Sequence, residues 1–297
     1  MQSTIVEGQS EAQASMKASR LTASIGAEVS DVDLGEVARS DELFAELKSL
    51  LLAHKVLFFR DQDITRAEHV QLASRFGPLE DHPVVPSDPD HPGLVRIYKD
   101  LDSRPEHYEN AYHCDGTWKE IPPMGAVLRC VEAPAVGGDT IWVNMAAAYA
   151  GLPEHVKVQV AGLSARHSIE ATFGAVMPAE QRHRLKERFP DAEHPVVRTH
   201  PETGEKVLFV NGFTTHFSNF HTPANVRHGI DFSPGASNLL SYLVSQASIP
   251  DYQVRWRWTS NSVAIWDNRC TQHYAVQDYY PAARKMERAG IIGDKPF

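Results

Sequence analysis

Apolar residues in the first half of the chain recur with helical spacing. Leu43, Leu47, Leu50 and Leu51 share one face behind Ser40, which predicts a helix capped by that serine. Lys55-Val56-Leu57-Phe58-Phe59 is a short apolar run and predicts a buried strand. Thr65 and Glu68 have capping-box spacing and predict a second helix, closed at Gly77. Residues 80–110 are rich in proline, aspartate and histidine. They predict a long irregular connection, and such loops usually carry function. Residues 1–18 show no period and are expected to be a flexible tail ahead of one domain spanning 19–297.

The second half reads as short strands. Ala126–Val131 and Thr140–Val143 flank the turn Val136-Gly137-Gly138-Asp139. Residues 195–199 and 207–210 flank Pro201-Glu202-Thr203-Gly204, a hairpin signal. Val254, Trp256 and Trp258 alternate with Arg255 and Arg257, and residues 263–266 and 284–292 are further strands. Helices are expected near 178–188 and 236–248. The fold class is therefore α+β, mainly β: a barrel or jelly roll of short antiparallel strands under helical cover.

Composition narrows the function. Of 297 residues, 42% are hydrophobic and 23% charged, ordinary for a globular protein. The net charge of −9 argues against nucleic acid or an anionic membrane surface, which need a basic face. No stretch approaches the roughly 20 apolar residues of a membrane span. Residues 1–18 lack a secretory pattern, so a cytoplasmic location is expected. Three cysteines, Cys114, Cys130 and Cys270, form no even framework and are expected as reduced thiols. A homo-oligomer, dimer or tetramer, is compatible with the sequence.

Common nucleophile-elbow, phosphate-loop and Cys-x-x-Cys motifs are missing, as is His-Glu-x-x-His. What remains is His-x-Asp/Glu. Two residues apart on a strand, such a pair faces one side and can converge on a metal. A second histidine from a distant strand completes a set of two imidazoles and one carboxylate, suited to non-haem Fe(II) and oxygen. With 15 histidines and 38 acids in 297 positions, about two matches arise by chance. Three occur: His107-Tyr-Glu109, His113-Cys-Asp115 and His200-Pro-Glu202. The last runs into a hairpin turn, where its side chains are expected to be solvated. The first sits in the polar loop, so His113-Cys-Asp115 has the best setting.

Its surroundings add specificity. His113-Cys-Asp-Gly-Thr117 is followed by Gly137-Gly138-Asp139-Thr140, then by Trp266-Asp-Asn-Arg-Cys-Thr-Gln-His273-Tyr-Ala275, Arg284 and Arg288. In this order the chain, from about Leu21 to Phe297, resembles the taurine dioxygenase-like family of Fe(II)/2-oxoglutarate-dependent oxygenases. The resemblance implies a distorted double-stranded β-helix, or jelly roll, with helices outside. It implies Fe(II) on His113, Asp115 and His273, with 2-oxoglutarate and O2 as co-substrates. Thr140 and Arg284 would hold the far carboxylate of 2-oxoglutarate, where a guanidinium offers a two-pronged partner. Asn110 would hydrogen-bond a ligand. His82 and Arg288 would meet an anionic group of the substrate, and Phe173 and Phe213 would wall its cavity.

The chain also departs from the taurine enzymes of that family. Val85 stands where they have a tyrosine, Tyr112 replaces a tryptophan before the first iron ligand, and residues 214–236 form a longer polar insertion. These changes surround the substrate rather than the iron. The expected substrate is therefore a small anionic molecule: a sulfonate such as taurine or a bulkier relative, with an alkyl sulfate, an aryloxyalkanoate or a biosynthetic intermediate as alternatives. A retained Asp115 favours hydroxylation over halogenation, in which related enzymes leave that position to a halide. The rival from another class is a non-catalytic metal-binding jelly roll.

Overall fold

A computed structural model describes residues 16–81, 85–100, 111–173, 177–221 and 234–297. The largest sheet has eight strands, in the order Lys17–Arg20, Ala27–Ser30, Val56–Phe59, Val263–Asp267, Pro123–Glu132, Arg284–Ile292, His91–Lys99 and Ser87–Asp88. A second sheet of three strands, Gln253–Trp256, Thr140–Asn144 and Thr271–Ala275, carries part of the site. The mainly antiparallel sheets, with one parallel pair between Ala27–Ser30 and Val56–Phe59 and helices as a minority, are the jelly-roll architecture expected from the pattern. The first strand begins at Lys17, and Met16 is buried in the core, so the end of the stretch read as a tail is structured.

Central strands of the large sheet are apolar on both sides because both sides are covered. Leu57 and Phe59, with Val263 and Ile265, pack against Leu34, Leu47, Leu51 and Leu72. Val56 and Phe58, with Ala264 and Trp266, pack instead with Trp142, Trp256, Trp258 and Met286. The outer helices begin as their sequences dictate. The Ser40 hydroxyl accepts from Leu43 N at the start of Asp41–His54, and Thr65 and Glu68 form the full capping box of Arg66–Ser74. Such a cap is worth about 1 kcal/mol.

One reading of the sequence needs correction and another gains detail. Residues 80–110 are not one irregular connection: His91–Lys99 is a nine-residue strand paired with Arg284–Ile292. Its two-residue alternation is masked by His91-Pro92-Gly93 and by Arg96, which ion-pairs with buried Asp88. The insertion at 214–236 opens with the strand Thr214–Phe217, paired to Ser164–His167, and Phe217 and Phe220 stack together. The hairpin Val197–Thr199 with Lys206–Leu208 forms as expected.

Several histidines are buried and neutral. Burial lowers His69 from 6.5 to about 4, although its ring bonds Val127 O at 2.9 Å. His167 and His194 are lowered as well, chiefly by burial. These folded-state values lie below that of an unfolded histidine, so the unfolded chain takes up protons first as the pH falls. Stability should be full above about pH 6.5 and decline toward pH 4. Thermal melts across that range should show Tm falling, and His69→Gln should flatten the fall. A pH-independent Tm between 7 and 5 would contradict this account.

Candidate functional site

The site is assembled by a two-residue backbone bridge. His113 N donates to His273 O at 3.0 Å and His273 N to His113 O at 2.8 Å. His273 lies on the strand Thr271–Ala275, whereas His113 is an isolated bridge residue leading into a turn. His113-Cys-Asp115 is therefore not a regular strand, as its spacing had suggested. The turn bends the carboxylate back toward the ring. Gly116 makes this bend at φ +65°, and a Cβ there would lie 2.6 Å from Pro123 Cδ.

The three side chains converge. Oδ1 of Asp115 lies 3.7 Å from Nε2 of His113 and 3.8 Å from Nε2 of His273. His113 Nδ1 bonds the Ala111 carbonyl at 2.7 Å, which makes Nδ1 the donor and leaves the Nε2 lone pair facing Asp115. Burial, and then the His113 ring, hold His273 at about 3, so it stays neutral, the form that ligates a metal. Trp142 and Trp266 flank the His273 ring at 6.3 and 5.2 Å. Two imidazole nitrogens and one carboxylate oxygen facing one point fit a first-row transition metal such as Fe(II).

Arg288 stands against this group. Its Nη2 donates to Oδ2 of Asp115 at 2.9 Å and lies 4.0 Å from Oε2 of Glu80, which also pairs with Lys119. Phe213 presents its ring to His113 at 6.0 Å and packs with Trp118 and Ile169, an apolar wall beside the donors. A second polar cluster lies at the start of the same strand as Arg288. Arg284 Nε donates to Gly138 O at 3.0 Å and Nη2 to Thr140 Oγ1 at 3.3 Å. Trp258 Nε1 donates to the same hydroxyl at 3.0 Å. Thr140 Oγ1 thus accepts two hydrogen bonds, which leaves its own proton to be donated elsewhere. Gly138 is required here: at φ +70°, a Cβ would lie 2.9 Å from Pro134 Cγ and 3.2 Å from Arg284 Cδ.

Of the residues singled out from sequence, the structure joins His113, Asp115, His273, Arg288 and Phe213, and separately pairs Thr140 with Arg284. His82 and Asn110 lie outside the described residues, as does the side chain of Phe173. His200 is corrected: it is 1% exposed rather than solvated, and its Nε2 bonds Asp267 Oδ2 at 2.9 Å. Arg269 grips Asp267 and also reaches Glu202 at 2.8 Å, tying the hairpin to the motif at 266–275. Sequence reasoning missed Trp258, Glu80 and Asn268. The last was quoted in the motif but given no task.

Comparison with known proteins gives the family. Residues 17–289 match the family described as "Taurine catabolism dioxygenase TauD, TfdA family". An alkylsulfatase of Acinetobacter baylyi is 38% identical, over 93% of this chain and 84% of its own. An alpha-ketoglutarate-dependent sulfate ester dioxygenase of Pseudomonas putida is 35% identical, over 92% of this chain and 88% of its own. A solved taurine dioxygenase from Burkholderia xenovorans superimposes with a TM-score of 0.76 at 32% identity, over 95% of this chain and 93% of that one. The chain belongs to the TauD, TfdA family of dioxygenases.

A metal bound by the three convergent side chains should be lost with any of them. Titrating metal-stripped protein with Co(II), followed by visible absorption, should show His113→Ala and Asp115→Ala weakened by at least about tenfold. Circular dichroism should remain that of the wild type, since a chain of this size has core enough without the metal.

Proposed function

We propose that this protein hydroxylates an aliphatic C–H bond of a small anionic substrate, with alkyl sulfate esters first in line and sulfonates bulkier than taurine second. Family membership carries the reaction class: the enzyme is an Fe(II)- and 2-oxoglutarate-dependent dioxygenase. The single observation behind the substrate class is a buried guanidinium, Arg288, placed beside the convergent His113, Asp115 and His273. The two relatives named above that act on sulfate esters support the order of preference. So do Val85, in place of a tyrosine hydroxyl, and the apolar wall of Phe213, Trp118 and Ile169.

When bound, Fe(II) with 2-oxoglutarate and O2 supplies the oxidising power, yielding succinate and carbon dioxide and placing one oxygen atom on the substrate carbon. The chain's own residues do the rest. His113, Asp115 and His273 would hold the metal. Arg284 and Thr140 offer a guanidinium fork and a hydroxyl proton to the far carboxylate of 2-oxoglutarate, with Asn110 a further ligand contact. Arg288, together with His82, binds the anionic head group, whose burial without partners would be prohibitive. Phe213, with Phe173, walls the alkyl part and excludes water. With a sulfate ester, hydroxylating the carbon next to the ester oxygen gives a hemiacetal-like product that collapses to an aldehyde and sulfate. No helix among the described residues is long and apolar enough to cross a membrane. A cytoplasmic enzyme made of one domain is the reading that goes with this chemistry.

Two experiments test the proposal. Arg284→Lys should weaken 2-oxoglutarate by about 1–3 kcal/mol, because an ammonium cannot reproduce the fork, while Co(II) affinity stays as it was. An unchanged KM for 2-oxoglutarate would move the anchor elsewhere. A screen of succinate release with hexyl sulfate, hexanesulfonate, taurine and a neutral hexyl ether should rank hexyl sulfate first. Preference for the neutral ether would overturn the anionic reading, and preference for taurine would overturn the argument from size.

A further inference from the structure

The two oxygens of Asp115 have different surroundings. Oδ1 faces both imidazoles, at 3.7 and 3.8 Å, whereas Oδ2 accepts a hydrogen bond from Arg288 Nη2 at 2.9 Å. We propose that Arg288 is a positioning residue for the metal carboxylate as well as an anion-binding one. It holds Oδ2 away from the metal, so that Asp115 ligates through Oδ1 alone. Asn268 fixes the backbone on which that carboxylate stands. The inference rests on the metal reading above and extends it.

A carboxylate can bind a metal through one oxygen or two. A two-oxygen grip would use a coordination position that 2-oxoglutarate and O2 need, since the two-histidine, one-carboxylate arrangement works by leaving positions open. A charge-assisted hydrogen bond to Oδ2 biases the carboxylate toward one-oxygen binding, and outer partners of this kind set both ligand orientation and affinity. The guanidinium is itself fixed. Its side chain is 10% exposed, and Glu80 Oε2 lies 4.0 Å from the same Nη2 that binds Asp115. The backbone beneath leaves room for both: a Cβ at Gly290 would lie 2.8 Å from Glu80 Oε2 and 3.1 Å from Arg288 Nη1.

Asn268 completes the hold. Its Oδ1 accepts from Asp115 N at 3.0 Å, and its Nδ2 donates to the carbonyls of Asp115 and Pro123, each at 3.0 Å. The amide thus ties the turn that carries the ligand to the first residue of the strand Pro123–Glu132. The arrangement has a further consequence. A substrate anion on Arg288 would share a guanidinium with the metal carboxylate, so filling the head-group site and the geometry at the metal become linked, and linkage is reciprocal.

The test uses metal-stripped full-length protein titrated with Co(II), with no substrate or 2-oxoglutarate present. Arg288→Ala should change the shape of the Co(II) visible absorption band, because a freed Oδ2 turns to the metal, while Co(II) stays bound at least as tightly as in the wild type. Added guanidinium should restore the wild-type band, and so should Arg288→Lys. Asn268→Ala should weaken Co(II) roughly tenfold, and Arg288→Gln takes the place of Arg288→Ala if the latter fails to fold. A wild-type band in the Arg288 variant, or wild-type affinity in Asn268→Ala, would overturn the inference. So would a changed band that neither guanidinium nor lysine restores, since that marks general damage. His113→Ala separates the two layers: if it too binds Co(II) like the wild type, the metal reading itself fails.

Discussion

Two backbone hydrogen bonds between His113 and His273 are the constraint on which the site depends. They join residues 160 positions apart and set two rings side by side, with centroids 4.2 Å apart. Everything between must fold so that the two segments meet. The bridge extends the small sheet, where His273 pairs with Trp142, so the geometry of the rings is inherited from a packed strand rather than from a loop. The indoles of Trp142 and Trp266 then limit how far the His273 ring can turn. Only the Asp115 side needs separate support, because it stands on a turn.

The strand Arg284–Ile292 solves a related problem of charge. It carries two arginines on the inward face and Glu287 on the outward one, where Arg66 and Tyr98 meet it. Buried cations are costly without partners, and both have them before any ligand arrives. Arg284 has Gly138 O and the Thr140 hydroxyl, and Arg288 has Asp115 and Glu80. The strand thus holds two buried guanidinium groups in place through partners of its own fold.

Local signals in the sequence were legible because local physics settles them. Ser40 and the Thr65–Glu68 box need only their neighbours to act. The His-x-Asp pair was legible as chemistry, but spacing alone could not choose it over two others; the surrounding motifs did. His91–Lys99 was hidden because its stability comes from pairing with a strand nearly two hundred residues away, while its own composition is that of a loop. His200 was misread for the same reason, since its partner Asp267 is 67 positions distant. Asn268 and Trp258 have roles that exist only through tertiary contacts, with Asp115 and with Thr140, and no periodicity marks them.

The cysteine between the two metal-site residues on the turn has its own chemistry. Cys114 is 2% exposed, and its thiol donates to the Asn268 carbonyl at 3.0 Å. Burial, with the neighbouring Asp115 charge adding to it, pushes its ionisation far above the usual thiol range. Cys130 and Cys270 are buried and shifted upward too. Oxidants and alkylating agents attack the thiolate, which these surroundings suppress. The candidate metal site therefore sits beside sulfur held as the protonated thiol, its less nucleophilic form.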